Sequence, residues 1–196
     1  MKSTGWLRPL FPCATWITLR YNAGQHDRLR PAARPLGDLH RALFREFFPA
    51  EVLSETRLWR GPVPSPPLYP VLRRIQPGAL NLLDVAGITF VDVIVHPGRL
   101  TIPLLFHELV HVTQYRVLGL RRFVELYVAG FLATGDYHAI PLEAQAYELG
   151  DRFVADPGLA FPVAAEVERR ANVGKSVGKI KRKDGRARPP FAEKKF

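Results

Sequence analysis

Residues 104–115 read LLFHELVHVTQY, two imidazoles and a carboxylate set into a segment otherwise dominated by leucine, valine and phenylalanine. A helix that is apolar all round belongs in the interior. Polar groups taken there without partners cost several kcal/mol, of order 2–7 each on transfer scales. The fold must therefore bury this segment and also bring something to His107, Glu108 and His111 from elsewhere in the chain. On a helix each residue advances about 100°, which stacks His107 and His111 one turn apart with Cβ atoms roughly 5–6 Å from each other. Two imidazole nitrogens so placed can converge on one ion at about 2.0–2.1 Å.

The pattern is H-E-x-x-H, in which two histidines hold zinc and the glutamate serves as general base. A catalytic zinc takes three protein ligands and keeps one position open, so a third donor must come from downstream. Gln114 and Val117 stand where a metzincin has its glycine and third histidine, so the HExxHxxGxxH route is closed. The candidates are His138, Glu143, Glu148 and Asp151. Glu143 is favoured because it lies in the first turn of a helix just after a loop, with Glu148 as the alternative. Tyr137 and His138, in the loop before that helix, are candidate donors to an oxyanion, and Tyr115 is another.

Around the motif the sequence predicts a mainly helical α+β core with a small strand or hairpin next to the HExxH helix. LGDLHRALFREFFP, 36–49, spaces Leu39, Leu43, Phe44 and Phe47 as a helix, with Asp38 as its cap and Pro49 as its stop. VLSETRLWRG is expected to contain a short strand, GPVPSPPLYP a non-helical connector, and PPLYPVLRRIQPG a turn of helix. AGITFVDVIVHPG, 86–98, is rich in β-formers between Gly87 and Pro97 and reads as a strand or a tight hairpin. A long helix runs from about Thr101 to Gly119, and RRFVELYVAGFL forms a second. Pro141 opens a third, and PVAAEVERRANV supplies a last helical piece.

The formal charge of +10 is concentrated at the ends. Residues 174–196 hold nine Lys and Arg against two acids and residues 1–45 hold eight against two, whereas the middle of the chain is net acidic. The chain divides into a basic N-terminal extension over 1–35, a metallopeptidase-like domain over 36–173 and a basic tail over 174–196. The tail's composition is that of a disordered segment. Through it the chain can meet nucleic acid or an anionic surface. Cys13 is the single cysteine, which excludes an intrachain disulfide and a cysteine-based metal cluster. Any metal must be held by His, Asp or Glu. No apolar run approaches the roughly 18 residues of a membrane span. Pro9 and Pro12 break what would be the apolar part of a signal peptide, so a cytoplasmic location is expected.

AGITFVDVIVHPG, LLFHELVHVTQY and IPLEAQAYELGDRF together resemble the small bacterial gluzincin-like metallopeptidases with an HELxHVxQ helix. These are similar to the metallopeptidase-like domain associated with extracellular contractile injection systems. The resemblance covers roughly residues 80–155 and implies His107, His111 and Glu143 as ligands of Zn2+ and Glu108 as base. It also implies a strand-rich segment ahead of the metal helix. Gln145 stands where relatives commonly carry a second acid, and Val91-Asp92 where they often have a glycine turn. The first 45 residues and the tail fall outside the resemblance.

The function expected is zinc-dependent hydrolysis of peptide bonds in a peptide or protein substrate. Two His and one carboxylate also suit iron, but a glutamate beside the first histidine matches hydrolysis and favours zinc. Two other readings are an inactive peptidase-like metal-binding module acting in binding or assembly, and nucleic-acid association through the basic ends.

Overall fold

Thr101 and Gly119 bound the metal-motif helix. The computed structural model describes residues 9, 11–65 and 85–172 of the 196-residue chain. The expected turn of helix over 66–78 and the basic tail from 174 lie outside the described residues.

In chain order, helix α1 spans Phe11–Leu29, followed by strand β1 at Arg34–Pro35, α2 at Asp38–Phe44, α3 at Ala50–Glu55 and β2 at Arg57–Arg60. Strands β3, Ile88–Phe90, and β4, Val93–His96, precede α4, Ile102–Leu118. Helices α5, Leu120–Thr134, and α6, Pro141–Ala155, follow, and 163–172 is again helical. The architecture is α+β and mainly helical, as the patterning predicts.

The four strands form one mixed sheet in the order β1-β2-β4-β3. β2 and β4 run parallel, Arg57 opposite Val93 and Arg60 opposite His96, while β3 pairs antiparallel with β4, Phe90 opposite Val93. The 86–98 segment is thus a hairpin. Its turn places Val91 at φ 60°, a left-handed conformation that strains a β-branched residue. The turn is held from outside: Asp92 accepts from Arg30 Nε at 3.0 Å, contacts His26 Nε2 at 2.9 Å, and its carbonyl accepts from the Arg57 amide at 2.8 Å. The strand order leaves β3 at the sheet edge, beside α4.

α4 is buried on nearly all sides, as an all-round apolar helix must be. Thr101 caps it, its hydroxyl accepting from the Leu104 amide, and Pro103 occupies the first turn. Gly119 ends it at φ 75°, a backbone that favours glycine. One face packs Phe106 into an aromatic cluster: it stacks on Phe153 of α6 at 4.4 Å and meets Phe44, Phe47 and Phe48 edge-on. Such offset and edge contacts add about 0.5–1.5 kcal/mol each beyond burial. This cluster fixes α6 against α4, and so fixes what α6 presents to the motif. A second cluster, containing Tyr115, Phe123, Val124, Val128, Ile140 and Leu142, joins α4, α5 and the start of α6.

Three details depart from sequence expectation. Asp38 does not cap α2; Gly37 holds the N-cap position without a side-chain bond, and Asp38 pairs with Arg41 instead. Of the four apolar residues read as one helical face, Phe44 and Phe47 are buried but Leu39 and Leu43 are exposed, and the helix stops at Phe44 rather than at Pro49. The expected N-terminal extension contains the 19-residue helix α1, whose Phe11, Ala14 and Leu19 pack against the second cluster. Its weak amphipathic pattern, interrupted by Thr15, Asn22 and Gln25, hid it from periodicity.

Candidate metal centre

His107 and His111 project from α4 one turn apart, as the i, i+4 spacing requires, and their Nε2 atoms lie 3.1 Å from each other. Pro141 starts α6 so that Glu143 falls in its first turn, and Gln114 of α4 ties that turn down by donating to the Leu142 carbonyl at 3.0 Å. Glu143 Oε2 then lies 3.3 Å from His111 Nε2 and 3.5 Å from His107 Nε2. Donors each about 2.0–2.1 Å from a tetrahedral ion are about 3.3 Å apart, so this triangle has the dimensions of one face of a zinc-type coordination shell. Oε2 of Glu143 is buried and receives no hydrogen bond. A buried carboxylate oxygen left so is costly, and a cation in the triangle would satisfy it. His107, His111 and Glu143 can hold a metal ion.

The tautomer needed for that role is set by a residue behind the site. Gln114, fully buried one turn beyond His111, donates from Nε2 to the Leu142 carbonyl at 3.0 Å and to Gln145 Oε1 at 3.1 Å. Its Oε1 therefore faces His111 Nδ1, 2.9 Å away, and accepts the proton there. Nε2 of His111 is left aimed at the triangle, the nitrogen free to ligate once its proton has gone. Gln145 is held in turn by donating to the Glu166 carbonyl at 3.2 Å. Tyr127 of α5 donates to Glu143 Oε1 at 3.1 Å, which leaves Oε2 as the oxygen pointed at the histidines.

Electrostatics follow this geometry. Burial by itself would lower the His111 imidazole, but the Glu143 carboxylate outweighs it and holds the imidazole up at about 9. Burial by itself would raise Glu143, yet His111 and His107 beside it hold its carboxyl well below the ordinary range.

Glu108 stands outside the triangle. Its carboxyl is buried and raised above the ordinary range, chiefly by desolvation, with His111, His107 and a hydrogen bond from Thr89 opposing. Thr89 Oγ1, on edge strand β3, donates to Glu108 Oε2 at 2.7 Å. Gly87 gives the other oxygen room: a Cβ there would lie 2.8 Å from Glu108 Oε1. The hairpin upstream of the motif thus positions the carboxylate.

The remaining sequence candidates separate. Tyr137 lines a cavity together with Glu108, His111 and Glu143, and its phenol is raised far above the ordinary range, mainly by burial. His138 is exposed, its ring 5.3 Å from both Tyr137 and Tyr147. Tyr115 is committed elsewhere, donating to Asn22 Oδ1 at 2.7 Å and stacking on Phe123. Glu148 is exposed and accepts from Arg170 at 3.0 Å, away from the triangle.

No family model, curated protein or solved structure matches this chain. The chemistry of the site is what speaks for function.

Sequence reasoning missed Thr89, Tyr127, Gln145 as a hydrogen-bonding partner, and Tyr147, whose ring lies 4.6 Å from that of His107. Gln114 did carry a signal: an amide three residues from His111, in an apolar helix, shares its face and wants a partner. Thr89 and Tyr127 had none, because only tertiary packing brings β3 and α5 to α4.

Proposed function

We propose that the protein is a zinc-dependent peptide hydrolase, with His107, His111 and Glu143 as metal ligands and Glu108 as general base. The observation that carries this reading is Glu108 itself: a second buried carboxylate beside the ligand triangle, excluded from it, and fixed by Thr89. An ion held for stability alone needs no such group.

Zinc, when bound, would polarise the substrate carbonyl and acidify water at the site. The chain's own residues supply the rest. Glu108, made more basic by burial, takes a proton from the attacking water and delivers it to the departing amine. Thr89 keeps one carboxylate oxygen engaged and leaves the other, beside Gly87, for the transfer. Tyr137, on the cavity wall, is the candidate donor to the developing oxyanion. The edge position of β3 suits an extended peptide adding to the sheet. The resemblance to gluzincin-like metallopeptidases points the same way.

The test is metal analysis paired with Glu108→Gln. Wild type should carry one zinc per chain and cleave a peptide library, while Glu108→Gln should keep the zinc and lose cleavage by at least about a hundredfold. Wild-type cleavage by that variant, or no stoichiometric metal in wild type, refutes the reading.

A further inference from the structure

Beside the metal centre lies a cavity of about 300 Å3 lined by α1, β3, α4, α5 and the loop before α6. That is at the lower end of the range for small-ligand sites, about 300–1,000 Å3. Its walls are apolar side chains, among them Ala14 and Ile17 of α1 and Val124, Val128, Phe131 and Leu132 of α5.

The polar side chains on the wall are mostly spoken for by the protein. Tyr115 donates to Asn22, Asn22 donates to the Thr18 carbonyl, Tyr21 donates to the Pro64 carbonyl, and Tyr127 donates to Glu143. The exception is at one end, where Glu143 Oε2 has no hydrogen bond and faces Nε2 of His111 at 3.3 Å. The space is therefore one-sided: a polar, ion-binding end and a long apolar remainder. Water gains little in such a remainder, and an apolar group gains about 0.8 kcal/mol for each methylene buried there.

We propose that the ligand of this centre carries one large apolar group, seated between α1 and α5, with its carbonyl at the His107–His111–Glu143 triangle. The group is an acyl chain or a bulky apolar side chain of a peptide. α1 is then the element that selects substrate. This inference rests on the metal-site reading given above and extends it to substrate class.

The probes are hydroxamates, whose head group binds a metal and whose tail can be varied. Acetohydroxamate, butanohydroxamate and octanohydroxamate are titrated into the zinc-loaded full-length protein by calorimetry. Affinity should rise about threefold to fourfold per methylene, at least about a hundredfold across the series. Ala14→Trp and Val128→Phe, which fill the cavity from α1 and α5, should abolish the gain while leaving acetohydroxamate binding unchanged. That unchanged binding shows the site intact in each variant. Comparing octanohydroxamate with phenylalanine hydroxamate assigns the source: tighter binding of the first indicates an acyl chain, of the second a peptide side chain. A flat chain-length profile in wild type that binds acetohydroxamate overturns the proposal, as does a gain that survives in both variants. Failure of zinc to bind at all is a different outcome and refutes the metal site instead.

Discussion

Replacing Gln114 by methionine keeps the side chain's length and near volume and removes only its hydrogen bonds, so packing loss is small. In the native protein the amide satisfies three groups at once: His111 Nδ1–H, the Leu142 carbonyl and Gln145 Oε1, at 2.9, 3.0 and 3.1 Å. His111 Nδ1–H and Gln145 Oε1 lose their partner in buried surroundings, whereas the Leu142 carbonyl keeps its place in the α6 ladder. An unsatisfied buried group costs about 1–3 kcal/mol. Partial relaxation of Gln145, which keeps its bond to the Glu166 carbonyl, brings the expected total to about 3 kcal/mol. With a chain of this size that lowers the melting temperature by roughly 6–12 °C.

The effect on metal is separate and more specific. Without Gln114 Oε1 nothing holds the proton on Nδ1, and the tautomer with Nε2–H, which cannot ligate, becomes accessible. Loss of such an outer partner weakens metal binding about 10–100-fold. The assay is competition with a chelating dye below the melting temperature, alongside circular dichroism. Gln114→Glu should restore affinity, because a carboxylate also accepts from Nδ1–H. Unchanged metal affinity in folded Gln114→Met would mean that the amide does not set the tautomer.

Three further outcomes are expected. Gly87→Ala places a methyl group 2.8 Å from Glu108 Oε1 and must displace the carboxylate; cleavage should fall about tenfold to a hundredfold with zinc content unchanged, and an unaltered rate would show that Glu108 does not act from its observed position. In chelator-treated protein the His111 imidazole keeps its proton up to about 9, and that proton must leave before the nitrogen can ligate, whereas Glu143 stays a carboxylate through the neutral range. Apparent zinc affinity should therefore rise about tenfold per pH unit towards pH 9 and flatten above it, and a level profile from about pH 6 to about 9 would refute the pairing of His111 with Glu143. Val91→Gly removes a β-branched side chain from φ 60°, saving about 1–3 kcal/mol of strain against about 0.5–1 kcal/mol of added chain entropy. The melting temperature should rise by roughly 2–4 °C, and a fall would show that the turn's side-chain contacts outweigh its strain.

The helices that carry the site were legible because their signals are local. Thr101, Pro103 and Gly119 mark the ends of α4, Pro141 marks the start of α6, and the i, i+4 histidines share a face by helical geometry alone. Glu143 could be preferred over Glu148 for a local reason too, its place in a first turn. The hairpin was half legible: its β-formers were plain, but a valine at its turn argued for a continuous strand, and the turn exists because Asp92 is tied down by His26, Arg30 and Arg57. α1 was not legible, since its pattern is weakly amphipathic and its burial depends on α5.

Sequence alone determined two of the three ligating groups, the imidazoles of His107 and His111, and the carboxylate of Glu108 beside them on one buried helix, because a period of 3.6 residues fixes which side chains share a face. Tertiary structure decided which distant carboxylate closes the triangle, which amide sets the tautomer, which threonine holds Glu108 and what shape lies beside them. Those choices depend on the Phe106–Phe153 stack and on β3 lying against α4, contacts between elements far apart in the chain that no local pattern encodes.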